Sequence, residues 1–224
     1  PNLFIVGAAK SGTTSLHHYL NQHPDVFMCS PKEPHFLINH EIGINRIPVG
    51  VCSEKEYFNL FQQGKGMEYR GASSVMYLMF PKIVIPKINK IFGKDAKIII
   101  MLRNPIERAY SGFQHVKRYN VNEACSEFKS AWDISEERYF SKLDMTPASR
   151  YKELGLYYKQ VKSYLAGIRN IHIIVYDDYK NDFQYEMNKI FDFLKIKRVE
   201  INTQNKYMVG GWQSKNEKIR KLMI

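Results

Sequence analysis

The apolar residues of this chain gather in short unbroken runs separated by stretches of helical spacing, the pattern of strands and helices alternating in one parallel α/β layer. Leu3-Phe4-Ile5-Val6 is the first run, and Lys97-Ile98-Ile99-Ile100-Met101-Leu102 is the strongest. Neither alternates between apolar and polar positions, so both belong at the centre of a sheet whose two faces are covered by helices. Val26 to Met28 and Ile171 to Val175 read as further strands. Between them the spacing predicts helices over 13–21, from Ser53, over 81–92, from Pro105 to about Tyr119, from Pro147 to about Leu165, and from about Asp182 to Leu194. Ser53 and Glu56 form a capping box; Pro86 should kink or divide its helix, and Gly93 ends it. Two prolines in Ser30-Pro31-Lys32-Glu33-Pro34-His35-Phe36 fix a loop, and 39–52 also reads as loop. The result is an α/β fold, a three-layer open parallel sheet flanked by helices, with ligands expected at the carboxyl ends of the strands.

The first strand passes through Gly7-Ala8-Ala9-Lys10-Ser11-Gly12 into the Thr13-Thr14-Ser15 helix start, a P-loop-like turn whose free N–H groups face an anion. A Walker A loop places its lysine directly after the last glycine, whereas here Thr13 follows Gly12 and Lys10 precedes it. The γ-phosphate of a nucleoside triphosphate is therefore poorly served. Lys10 is better placed to neutralise charge growing on a leaving phosphate. Arg103 leaves the central strand at its carboxyl end, and Ser111 lies two turns into the next helix. Their guanidinium and hydroxyl can converge on a second phosphate. Arg108, between them, reads as structural and ion-paired to a carboxylate.

With 224 residues, 44% of them hydrophobic, the chain can bury the core of a single domain over 1–224. Its 33 basic and 22 acidic residues leave a net charge of +11, which favours polyanionic partners without choosing among them. Cys29, Cys52 and Cys125 show neither disulfide nor metal-ligand spacing. There is no signal-like segment, no glycosylation sequon and no transmembrane-length apolar run. A reducing, cytoplasmic location is expected, with the start at Pro1 leaving an upstream anchor open.

Lys10-Ser11-Gly12-Thr13-Thr14-Ser15-Leu16 resembles the 5′-phosphosulfate loop of sulfotransferases that use 3′-phosphoadenosine-5′-phosphosulfate (PAPS). Arg103, Pro105, Arg108 and Ser111 resemble the 3′-phosphate segment of the same family, and Lys32-Glu33-Pro34-His35-Phe36 is closest to its heparan-sulfate and carbohydrate branch. The resemblance implies the PAPS-sulfotransferase fold, PAPS as donor, the bisphosphate PAP as product, and no metal. Lys10, Ser11, Gly12, Thr13, Thr14 and Ser15 would hold the phosphosulfate, and Arg103 and Ser111 the 3′-phosphate. Glu33 would be the base for transfer to a hydroxyl, that of a saccharide or glycoconjugate, with no nucleic-acid partner. His35 and His115 compete for that role, since small-molecule members of the family use histidine. Segments 149–158 and 173–179 look like later family segments, with Asp177 and Asp178 read as caps of the next helix. Lys206, Trp212 and Lys215 are candidates for a loop closing over the nucleotide. Two other functions stay open: a P-loop small-molecule kinase, which the misplaced lysine opposes, and a non-enzymatic basic module binding glycan or nucleic acid.

Overall fold

The computed structural model describes residues 1–119, 123–205 and 207. In chain order its regular elements are β1 (Leu3–Gly7), α1 (Thr13–Leu20), β2 (Val26–Met28), α2 (Phe36–Ile42), α3 (Glu54–Asn59), β3 (Tyr69–Ser73), α4 (Pro81–Ile91), β4 (Lys97–Leu102), α5 (Pro105–Tyr119), α6 (Phe128–Asp133), α7 (Ser135–Ser141), α8 (Tyr157–Gly167), β5 (Asn170–Val175), α9 (Tyr176–Asn181) and α10 (Phe183–Leu194). Among the described residues the strands form one sheet in the order β2-β3-β1-β4-β5, every pairing parallel.

The apolar runs split by parity across this sheet. Leu3, Ile5, Ile99 and Met101 face a core shared with Leu16 and Leu20 of α1 and Met187, Ile190 and Phe191 of α10. Phe4, Val6, Ile98 and Ile100 face the other way, into a core with Val84 and Ile88 of α4 and Tyr164 of α8. Both faces of β1 and β4 are covered, which is why neither strand carries a polar position beyond Lys97 at the start of β4. The three-layer parallel sheet read from the sequence is the one observed.

Several boundaries differ from the expected ones. α4 runs unbroken through Pro86, which sits on the exposed face where water can satisfy the carbonyl its missing N–H leaves free. The helix expected from Pro147 is instead two short 3₁₀ turns, Pro147–Ser149 and Glu153–Gly155, followed by α8. Asp177 and Asp178 lie in the first turn of α9, and Asp182 is the residue that caps α10, its carboxylate accepting from the Tyr185 N–H. The stretch after residue 122 packs α6 onto α5 through Phe113, Phe128, Ala131 and Tyr151. A buried Glu123–Arg138 ion pair is joined by the Tyr151 hydroxyl, which donates to the carboxylate.

Candidate active site

β1, β3 and β4 end side by side, and their carboxyl ends carry the groups singled out from the sequence. The loop after β1 reaches α1 through Lys10 and Gly12, at φ 65° and 89°. A side chain at Gly12 would place its Cβ 2.9 Å from the Tyr176 ring, so this turn requires glycine on both counts. No side chain caps α1, and the amides of its first turn remain available to an anion. Ser11 Oγ and the Tyr157 hydroxyl are buried beside one another, next to the Arg103 backbone. Lys10 is half-buried and has no ion pair among the described residues. Burial, and then the positive fields of Arg118, Lys32 and Arg103, push its pKa down. Cations crowded around uncapped amides suit a multiply charged anion, and the residues present fit a phosphosulfate.

Glu33 stands on the neighbouring loop. Its backbone has φ 64°, and His35 follows at φ 50°. Three consecutive residues at the carboxyl end of β3, Ser73 to Val75, grip this turn. The Ser73 carbonyl accepts the Glu33 N–H at 2.9 Å, Ser74 Oγ accepts the His35 N–H at 3.1 Å, and the Val75 N–H donates to Glu33 Oε2 at 2.8 Å. The other carboxylate oxygen is paired with the Lys32 ammonium. That ammonium lies within electrostatic reach of Lys10, so the carboxylate and the phosphate loop belong to one site. Sequence reasoning did not find Lys32 or the Ser73-Ser74-Val75 grip.

Arg103 donates to Glu107 Oε2 from Nε at 3.2 Å and Nη2 at 2.9 Å, to the Lys10 carbonyl from Nη1 at 3.3 Å, and lies 4.9 Å over the Tyr176 ring. It thus braces the loop after β1 directly, with Glu107 as its carboxylate partner. Ser111 is half-buried on α5, two turns beyond Asn104, whose Oδ1 accepts the Ile106 N–H at 3.0 Å. Arg108 departs from expectation: it is fully buried and donates to the Tyr151 carbonyl at 2.5 Å, with no carboxylate partner among the described residues. Its neighbours are the 3₁₀ turns, which offer carbonyls in place of acids. Thr13 is buried at the helix start, and Thr14 half-buried. Ser15 is turned toward the C-terminal segment, its hydroxyl donating to the Tyr207 carbonyl at 3.4 Å, while His18 stacks on the Tyr207 ring at 4.1 Å. Lys206, Trp212 and Lys215 lie outside the described residues.

The competing histidines are poor bases. His35 is buried, which lowers its pKa, and its Nε2 is 3.7 Å from Glu33 Oε2. His115 is pushed down to about 4, first by burial and then by Lys10 and Arg118. His17, on α1, is pushed down to about 3 by burial, Lys32 and His18. These shifts carry a stability consequence. As pH falls below the usual 6.5 the unfolded chain takes up protons that folded His115 and His17 refuse, so stability declines as pH drops from about 6.5 toward 4. A lower urea midpoint at pH 5 than at pH 7, with the difference reduced in His115→Gln, is the expected result.

The fold and the loop define a class: a P-loop-like α/β protein with an uncapped helix N-terminus at the carboxyl ends of a parallel sheet and a carboxylate beside it. A family model described as Sulfotransferase domain matches residues 1–221, and the chain belongs to that family. A solved sulfotransferase from Alicyclobacillus acidocaldarius superposes with a TM-score of 0.83 at 30% identity, over 100% of this chain and 89% of that one. Mouse SULT7A1, solved in complex with PAP, shares the fold at 22% identity with a TM-score of 0.56, over 88% of this chain and 58% of its own. Carbohydrate sulfotransferase 15 of Mus musculus is 24% identical over 246 residues, covering 88% of this chain and 44% of that protein. Membrane-associated sulfotransferase kil1 of Dictyostelium discoideum is 28% identical over 113 residues, 50% of this chain and 22% of its own. The chain thus spans less than half the length of these curated relatives. The resemblance to the carbohydrate branch is borne out by them. The expected cytoplasmic location is not: the likeness to a membrane-associated sulfotransferase overturns it. Among the described residues no helix is long and apolar enough to cross a membrane.

Proposed function

We propose that the chain is, as a single domain, a PAPS-dependent O-sulfotransferase acting on a hydroxyl of a saccharide or glycoconjugate. The observation that carries this reading is the pairing of an uncapped, lysine-bearing phosphate loop with a carboxylate locked beside it in the Lys32-Glu33 turn. Lys10 and the amides of Ser11 to Ser15 hold the 5′-phosphosulfate, and Arg103 with Ser111 holds the 3′-phosphate. Glu33 takes the acceptor hydroxyl proton as the acceptor oxygen bonds to sulfur. The bond from sulfur to the 5′-phosphate oxygen breaks in line, and its electron pair leaves with PAP, where Lys10 meets the new charge. The carbohydrate sulfotransferase relative supports the acceptor class, and the mouse fold neighbour complexed with PAP supports the donor.

Calorimetry with PAP against ATP and magnesium tests the donor. PAP should bind and ATP should not compete, and Arg103→Ala should weaken PAP by about 2 kcal/mol, the worth of a charge-assisted contact. Because Arg103 also braces the Lys10 carbonyl, turnover at saturating donor should fall as well. Equal binding of 3′-phosphorylated and 3′-unphosphorylated nucleotides would remove the second phosphate site, and preference for ATP would restore the kinase reading.

A further inference from the structure

We propose that His17 and Ser73 are positioning residues that hold Glu33 in register with the phosphate-loop helix; the proposal rests on the reading of Glu33 as the base. His17 lies one turn into α1, and its Nδ1 is 2.8 Å from Ser73 Oγ. Both residues are buried, at 4% and 0% exposure. Ser73 is also the residue whose carbonyl accepts the Glu33 N–H, and the two residues after it take the His35 N–H and the Glu33 carboxylate. Non-glycine residues in the left-handed region, such as Glu33 and His35, persist where their surroundings fix them, and here the fixing bonds end on one short segment. Backbone pairing of Ile5 with Ser73 sets that segment against the sheet. The His17–Ser73 bond sets it against the helix whose amides face the donor.

Two features favour positioning over proton transfer. One imidazole nitrogen is occupied by Ser73, and the ring stays neutral through the working pH range because burial and the Lys32 charge oppose its protonation. The contact therefore does not switch with pH. A displacement of the base by a fraction of an ångström is enough to matter, since attack geometry is far steeper than binding geometry.

The test uses His17→Phe, of similar shape, and Ser73→Ala, the smaller change in case the first fails to fold. Each should lower turnover about tenfold with PAP affinity held within about twofold, the split expected when positioning rather than donor binding is lost. His17→Asn, whose side-chain nitrogen reaches the Nδ1 position, should recover most of the loss. In a Glu33→Gln background His17→Phe should cost nothing further, because both changes act through one group. Equal losses in the two backgrounds would make the pair merely structural and overturn the proposal, as would parent-like turnover of both His17→Phe and Ser73→Ala beside an impaired Glu33→Gln. Parent-like turnover of Glu33→Gln itself would instead remove the base reading, and this inference with it.

Discussion

Replacing Lys10 with alanine should lower sulfuryl transfer by about 10³-fold while leaving the fold intact, the upper range for losing one group that meets charge developing in a transition state. The fold should tolerate the change for specific reasons. Lysine and alanine both carry a Cβ, so the left-handed backbone at φ 65° is no more strained in the variant than in the parent. The Lys10 carbonyl remains bonded to Arg103. The lost ammonium has no ion pair among the described residues, and its strongest charged neighbours, Arg118, Lys32 and Arg103, are of like sign. Removing it relieves repulsion, so the melting temperature should hold or rise. PAP binding should weaken less than turnover, because in the proposed site the loop amides and Arg103 would still hold phosphate. Assay of transfer at saturating donor, beside thermal melting, checks both halves. Turnover within about threefold of the parent would exclude Lys10 from the chemistry.

What could be read from the sequence followed the strength of local signals. β1, its loop and α1 were legible because an unbroken apolar run, bracketing glycines and a threonine-serine helix start act within a few residues of one another. β4 and α5 were legible for the same reason. β3 was not. Its sequence is Tyr69-Arg70-Gly71-Ala72-Ser73, which has no apolar run, because Gly71 lies against the Met28 side chain and leaves no room for a larger one. With β3 hidden, its continuation through Ser74 and Val75 was hidden too, and so was the grip on Glu33. Long-range bonds of this kind leave no periodicity to detect. α2 was obscured by Pro34, since the residue before a proline is biased out of helix and α2 starts only two residues after it, at Phe36. Arg108 shows a different failure: charge type suggested an acid partner, while burial beneath a 3₁₀ turn supplied a carbonyl.

Glu33→Gln should lower turnover by about 10²-fold or more with little loss of nucleotide affinity, the signature of a general base. Glutamine has one oxygen where the carboxylate has two, and the structure says which contact it keeps. The amide oxygen can still accept the Val75 N–H, while its NH₂ meets the Lys32 ammonium, donor against donor. The turn should therefore stay folded with Lys32 freed from its partner, so PAPS affinity should hold or increase rather than fall. This separates the base from a residue that merely organises the donor site. Glu33→Asp completes the test: it restores the charge but draws it back from the acceptor, and should recover Lys32 pairing without recovering full rate. A pH profile alone is a weaker discriminator here, because His115 is held at about 4 and titrates where a carboxylate does. The variants decide between them. If Glu33→Gln turns over like the parent while His115→Ala or His35→Ala abolishes transfer without unfolding, the proton leaves through a histidine, and the carboxylate serves only to anchor Lys32.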